Sequence, residues 1–381
     1  MTSATTSSAV PTDSIVRYGV VGTGMMGVEH IENILALDGA TVTAVADPHP
    51  DSKVAAQRAV AESASSELVT TDSVQELIDA DVCDAVVIAS PNFTHRDTLL
   101  AVLDSQLHVM IEKPLCTTIA DCRTVVDAAR EGPDERIVWM GLEYGYMPPT
   151  ARLLDEIRNG VAGDVKMVAV REHRFPFLDK PGNWNRFNRF TGGTLVEKCC
   201  HFFYLMNLAT GARPVRVMAS GGQDVNHLDE RYDGERPDIL DNAYVIVEYD
   251  NGARGMLDLC MFAEASRNEQ EVVVVGNTGK IEAFIPENVI RIGRRADGLH
   301  KVREERVENP DIRHAGLHFG SSYLEHVAFR KAIDGTGPVE VNLLDGLWSV
   351  AIGAAGHRSI EERRPVELAE FSELDGLELP R

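Results

Sequence analysis

The sequence contains no apolar run long enough to span a bilayer. Its opening, residues 1–13, is rich in Ser, Thr and Ala and has neither the basic nor the apolar stretch of a secretory leader, so a short disordered tail is expected there. The six cysteines, Cys83, Cys116, Cys122, Cys199, Cys200 and Cys260, include no CxxC pair and no framework spacing, which fits free thiols in a reducing cytoplasm. Basic residues are scarce: 37 Lys and Arg stand against 59 Asp and Glu, for a formal net charge of −22. Such a surface repels nucleic acid and anionic membrane, leaving a small molecule as the expected partner. No internal repeat and no low-complexity linker interrupts the chain.

With 381 residues, the chain exceeds what one hydrophobic core ordinarily serves, so two domains are expected. Residues 14–141 alternate apolar runs with helical stretches. The runs are 15–21, 41–46 (TVTAVA), 84–89 (DAVVIA), 108–111 (HVMI) and 137–140 (IVWM), with helices expected at 97–105 and 119–130 among others. Continuous apolar strands separated by helices indicate a parallel sheet covered on both faces. The texture changes in residues 142–381. A helix near 149–159 precedes a strand at 165–173 and a long polar loop, 174–193, which leads to a helix at 195–209. Alternating strands follow at 215–219, 243–249, 254–259, 271–275 and 280–285, with hairpin turns at Asp250-Asn251-Gly252 and Asn277-Thr278-Gly279. Helices near 322–333 and 343–357 close the chain. The fold class is therefore α/β, with an N-terminal Rossmann domain and a C-terminal α+β domain built on a mostly antiparallel sheet.

The first strand runs into Gly22-Thr23-Gly24-Met25-Met26-Gly27, a GxGxxG that opens a helix. The first glycine permits the tight turn, the second lets backbone approach a pyrophosphate, and the third lets helix and strand pack closely. The helix N-terminus then offers its amides and dipole to the phosphates. Asp47 closes the next strand, where a carboxylate accepts hydrogen bonds from the adenosine ribose and repels a 2′-phosphate, so NAD is favoured over NADP. Ser90, Asn92 and His95 follow the third apolar run, at the strand ends that line a ligand crevice, and are candidate cofactor contacts.

Two constellations carry chemistry. Glu112-Lys113-Pro114 ends the fourth run, and Pro114 keeps Lys113 out of the helical region, at a strand end beside the expected nicotinamide. Near a cationic cofactor and partly desolvated, Lys113 is expected to have a lowered pKa and to hydrogen-bond the reacting hydroxyl. Glu112 is expected to orient the lysine or cap nearby backbone. The second constellation is 191–201 (TGGTLVEKCCH), in which Glu197 and His201 are four residues apart on one expected helix. His201 is the candidate proton acceptor, and Glu197 binds a neighbouring hydroxyl or tunes the imidazole. Adjacent cysteines diverge by about 100° on a helix, so Glu197, Cys199, Cys200 and His201 are not expected to hold a metal. The loop ahead of this segment supplies His173, Arg174, Trp184, Asn185 and Arg186, and Lys198 adds a further cation. Asn and Trp suit a polyhydroxylated ring, while arginines suit an anionic group or, alternatively, pair with the chain's own acids.

With these three motifs in order along nearly the whole chain, the sequence resembles the glucose–fructose oxidoreductase, inositol dehydrogenase and rhizopine-catabolism family (Gfo/Idh/MocA). The resemblance implies a C-terminal domain whose open sheet often builds homodimers or homotetramers. It also implies action on a ring carbon of sugars or cyclitols, with Lys113 and His201 as the catalytic pair. Two positions depart from the family pattern: Glu197 stands where Asp is usual, and Cys199 where Gly is frequent. Lys198 is also unusual. Three readings follow. The first is an NAD-dependent dehydrogenase of a ring hydroxyl. The second is an oxidoreductive glycosidase that cleaves an anionic glycoside, such as a sulfoquinovoside or glucuronide, by transient oxidation, elimination, hydration and re-reduction, with Lys198, His173 or Glu197 as its second base. The third is a non-enzymatic NAD-binding sensor.

Overall fold

The apolar runs of the first third become parallel strands because helices cover both faces and leave no room for alternating polar residues. The computed structural model describes residues 15–62, 68–133 and 135–379; the expected tail at 1–13 lies outside the described residues. The order is β1 (Val16–Val21), α1 (Met25–Leu35), β2 (Ala40–Ala46), α2 (Pro50–Ala61), β3 (Val69–Thr71), α3 (Val74–Asp79), β4 (Ala85–Ile88), α4 (His95–Leu103), β5 (His108–Glu112), α5 (Ile119–Arg130) and β6 (Val138–Gly141). The six strands pair as β3-β2-β1-β4-β5-β6, all in parallel, so the carboxyl ends of β1, β4 and β5 open onto one crevice. Ser73 and Thr118 cap α3 and α5 by accepting the amides of Glu76 and Asp121.

The remainder begins with α6 (Pro148–Arg158), β7 (Val165–His173), α7 (Asn188–Thr191), α8 (Thr194–Glu197) and α9 (Cys200–Thr210). It continues through β8 (Pro214–Gly222), β9 (Asn242–Tyr249), β10 (Arg254–Cys260), β11 (Gln270–Gly276), β12 (Gly279–Ile285), β13 (Val289–Arg294) and β14 (Val302–Arg306). It closes with α10 (Ser321–Ile333), α11 (Leu343–Glu362) and β15 (Val366–Glu367). The nine strands pair as β14-β13-β12-β11-β7-β10-β9-β8-β15, antiparallel except for β7 with β10. Side chains on β7, β9 and β10 alternate: one set packs under α9 and α11, and the other leaves Met167, Tyr244, Ile246 and Met256 exposed on an uncovered face. Among the described residues no helix is long and apolar enough to cross a membrane.

The fold departs from expectation in two ways. The single helix expected at 195–209 is two helices, α8 and α9, interrupted at Lys198 and Cys199. The short strand β3, the hairpin partners β13 and β14 and the edge strand β15 carry too weak an apolar run to announce themselves. The helix α10 returns late in sequence to the first sheet, where Phe329 lies fully buried against Tyr18 (ring centroids 6.3 Å) and Trp139 (5.9 Å). Phe329→Ala is expected to cost about 3–5 kcal/mol by emptying this junction, measured as a lowered midpoint in denaturant unfolding.

Candidate active site

The glycine turn is held by close contacts. Gly22 has φ +84°, and a Cβ there would lie 2.5 Å from the Ser90 Cα; a Cβ on Gly27 would lie 2.0 Å from the Gly22 carbonyl oxygen. Gly24, by contrast, faces open space and starts α1 without a side-chain cap, so the first amides of the helix remain available to an anion. Asp47 at the end of β2 is buried. It accepts hydrogen bonds from the Thr23 amide (2.8 Å) and hydroxyl (3.2 Å) on one oxygen and from the His49 amide (2.8 Å) on the other. Gly22, Gly24, Asp47 and His49, with Met25, Met26, Ser90 and Asn92, line a cleft of about 540 Å³ that runs on to Glu112, Lys113, Lys180, Trp184 and Glu197. The Asn92 side-chain amide nitrogen has no partner among the described residues, so a donor is free at the cleft wall. A dinucleotide fits this set: an uncapped helix start, an acid at the next strand end and a long groove between them.

His95 is placed differently from expectation. It is fully buried, does not line the cleft, and its ring nitrogens lie 2.7 Å from the Pro114 carbonyl and 3.0 Å from the Ser90 carbonyl. Its role is to tie the β4 loop to the Lys113-Pro114 segment.

The chemical end of the cleft joins both halves of the chain. Lys113 Nζ donates to the Glu197 carbonyl at 3.3 Å. Burial works to lower the lysine pKa, but Cys200, Glu197, Glu112 and Glu143 together raise it, the reverse of the expected direction. Burial pushes the Cys200 thiol up to about 12, so it is uncharged at neutral pH and the carboxylates hold the cation. Glu197 is the strongest of these, and Glu112 follows. Burial would raise the Glu112 pKa, but the hydrogen bond and charge of His30 outweigh it and keep the carboxylate ionised. His30 bridges Glu112 (2.9 Å) and His326 of α10 (2.8 Å), while the second Glu112 oxygen accepts the Lys113 amide at 3.0 Å.

His201 opens α9. The turn before α8 needs Gly193, whose φ is +89° and whose Cβ would stand 2.2 Å from His357 of α11; that imidazole accepts the Leu195 amide at 3.1 Å. His201 stacks face to face on Tyr144, with centroids 3.9 Å apart and planes 6° apart. Burial first, then the charges of Lys113 and Lys198, push its pKa well below the usual imidazole range, so the ring is neutral and fit to accept a proton. Its Nδ1 has no partner among the described residues. Glu197, on the other side of the break between α8 and α9, is buried, with its own pKa raised by burial and one carboxyl oxygen unpartnered among the described residues.

Sequence reasoning missed Glu143, Tyr144, Glu172, Lys180 and His318. Glu143 Oε1 lies 3.8 Å from His201 Nε2 and 3.7 Å from His318 Nε2. Glu172 forms an ion pair with Lys198 Nζ at 2.9 Å, and Lys198 donates to the Tyr144 hydroxyl at 2.7 Å. Lys180 sits 5.4 Å over the Trp184 ring in the cleft wall. Their only sequence signal is position: Glu143 and Tyr144 follow a parallel strand end, and Glu172 alternates with His173.

That alternation corrects another expectation. His173 points to the opposite face of β7 from Glu172 and pairs with Asp258 at 3.0 Å, away from His201. The loop residues divide likewise. Trp184 lines the cleft. Asn185 is fully buried and donates to the Leu178 carbonyl. Arg186 is buried between Asp179 (2.7 Å) and Glu230 (3.1 Å), so it serves the loop's own fold. Arg174 lies over the Phe175 ring with its guanidinium 3.7 Å from Glu172.

Comparison with known proteins agrees with this geometry. Residues 16–141 match the family described as "Oxidoreductase family, NAD-binding Rossmann fold", and residues 155–368 match "Oxidoreductase family, C-terminal alpha/beta domain". Inositol 2-dehydrogenase 1 of Saccharopolyspora erythraea is 37% identical over 357 residues, covering 93% of this chain and 96% of the relative. Myo-inositol 2-dehydrogenase of Thermotoga maritima is 28% identical over 367 residues, covering 93% and 99%. An oxidoreductase domain protein from Kribbella flavida shares the fold, with a TM-score of 0.81 at 19% identity over 93% of this chain and 99% of that one.

Arg186 is itself buried and paired with two loop acids, which makes it a structural residue. Arg186→Ala is expected to lower stability by roughly 1–3 kcal/mol, read by thermal unfolding, and to change KM equally for charged and neutral substrates.

Proposed function

This chain belongs to the Gfo/Idh/MocA oxidoreductase family, and on that premise we propose that it is an NAD-dependent dehydrogenase of a ring CH–OH in a cyclitol or neutral sugar. The observation that carries this reading is the meeting of Lys113, from the end of β5, with Glu197 at the end of the glycine-turn cleft, with the buried His201 near enough for the Lys113 charge to act on it. Gly22 to Gly27, Asp47, Ser90 and Asn92 would hold the dinucleotide, which when bound supplies the hydride acceptor. Lys113 remains cationic and donates a hydrogen bond to the substrate oxygen, stabilising negative charge as it develops there. His201, neutral and stacked on Tyr144, accepts the hydroxyl proton. Glu197 holds a neighbouring hydroxyl. The full-length likeness to inositol dehydrogenases supports a cyclitol. A neutral ring is supported over an anionic one because Arg186 and Lys198 are spent on protein acids and His173 faces elsewhere, leaving Lys180, whose pKa burial lowers, as the loop's cation on the cleft wall. Trp184 under Lys180 offers an apolar surface to one face of the ring. The same reading includes a homodimer or homotetramer assembled through the uncovered sheet face of Met167, Tyr244, Ile246 and Met256.

Incubation with NAD and a panel of cyclitols and sugars is expected to give stoichiometric NADH with at least one. His201→Ala is expected to lower kcat by about 10²–10⁴-fold while NADH binding, followed by fluorescence, is unchanged. A panel with no NADH from any member overturns the reading.

A second reading, glycoside cleavage by transient oxidation, is favoured by one observation: Glu143 and His318 provide further acid–base groups beside His201. Lys198 and His173 are committed elsewhere. A chromogenic glycoside separates the two readings: aglycone released without net NADH supports cleavage, and no aglycone alongside stoichiometric NADH rejects it.

A further inference from the structure

Oxidising a buried alcohol leaves a proton that must reach water. His201 is the residue expected to receive it, yet its side chain is 2% exposed, as is that of Glu143, whereas His318 is 22% exposed. The three form a short chain from the interior outward. His201 Nε2 faces Glu143 Oε1 at 3.8 Å, and the same oxygen faces His318 Nε2 at 3.7 Å. Glu143 Oε2, His201 Nδ1 and His318 Nδ1 are closed to solvent and have no partner among the described residues, so the transfers run through Glu143 Oε1 and the two Nε2 atoms that face it. Separations of this size commonly contract to hydrogen-bond length only when substrate is bound. Tyr144, stacked on His201 and at 5.9 Å from His318, fixes one imidazole and flanks the other. Its hydroxyl is occupied by Lys198, so it does not compete for the proton.

We propose that Glu143 is the proton-relay residue of this site, taking from His201 the proton removed from the substrate hydroxyl and releasing it to solvent by way of His318. The inference rests on the dehydrogenase reading above. In each turnover the substrate O–H bond breaks and its proton goes to His201 Nε2, while the C–H electron pair leaves as hydride to NAD. The imidazolium then gives its Nε2 proton to Glu143 Oε1, and His318 passes one proton from the carboxyl to water. Charge and atoms balance as alcohol plus NAD giving ketone, NADH and one released proton.

The groups facing Glu143 are Glu112 and Lys113 at the end of β5, Lys198 and His201 around the α8–α9 break, His318 ahead of α10, and Glu325 within α10. Burial first, then repulsion from Glu112, raise the Glu143 pKa to about 8, while Lys113 and Lys198 partly offset this. The sign follows directly. A protonated Glu143 cannot receive a proton from His201, so oxidation quickens as pH rises through about 8. Ketone reduction needs the protonated form and slows over the same interval.

Glu143→Gln keeps the shape and removes the acid. The expected result is a fall in kcat for oxidation of about 10–100-fold at alkaline pH, with KM within twofold, loss of the limb near pH 8, and partial rescue by small diffusible bases such as imidazole. Independently of turnover, infrared titration of the cofactor-free protein should show a carboxylic-acid C=O band that vanishes as pH rises through about 8 and is missing from Glu143→Gln. His318→Gln, nearer the surface, should slow the same step and be rescued likewise if Glu143→Gln fails to fold. A wild type that makes NADH alongside a Glu143→Gln variant with unaltered kcat and pH profile overturns the relay alone. Absence of NADH from every polyol overturns the dehydrogenase reading and the relay with it.

Discussion

One hydrogen bond, from Lys113 Nζ to the Glu197 carbonyl, spans the join between the parallel sheet and the helices of the second sheet. It forces an ammonium group, two imidazoles and several carboxylates into a region nearly closed to water. In such surroundings a charge persists only where a partner balances it, and every unbalanced group moves toward neutrality. The site's protonation states follow. Glu112 keeps its charge because His30 donates to it, Lys113 keeps its charge because carboxylates surround it, and His201 loses its proton because it is buried and, after that, because cations surround it. A cationic donor and a neutral imidazole side by side are what oxidation of an alcohol requires.

Holding that arrangement falls to two late helices. Helix α10 braces the ends of β5 and β6. His326 reaches His30 and so Glu112, while Glu325 accepts the Leu142 amide (3.0 Å) and the Trp139 indole (3.3 Å) just ahead of Glu143. Helix α11 receives the Gly193 turn against His357 and thereby sets where α8 begins. Both sites of bracing are buried and hydrogen-bonded, the condition under which side chains keep one geometry through a reaction.

The uneven use of the 174–193 loop also has a physical cause. In a strongly acidic chain most arginines meet a carboxylate before they meet a ligand. Arg186 finds Asp179 and Glu230 and disappears into the loop, whereas Trp184 and Lys180, with no such partner among the described residues, are left on the cleft wall.

By itself the sequence determined the two-sheet architecture and the glycine turn with Asp47, and singled out Lys113, Glu197 and His201 as candidates, because each is written in local pattern: apolar runs, glycine spacing, a residue held at a strand end by the following proline. It also carried the β9–β10 and β11–β12 hairpins in their turn residues. Only the tertiary structure decided the protonation of Lys113, which reversed the expected direction because Glu197 and Glu143 join the neighbouring Glu112 from distant segments. It likewise decided the burial of His95 and Arg186, the turning away of His173, and the break between α8 and α9. Glu143 and His318 lie far apart in the chain and meet over His201 only because β6 and the approach to α10 converge there; no spacing along the chain encodes a distance between elements that touch only after folding.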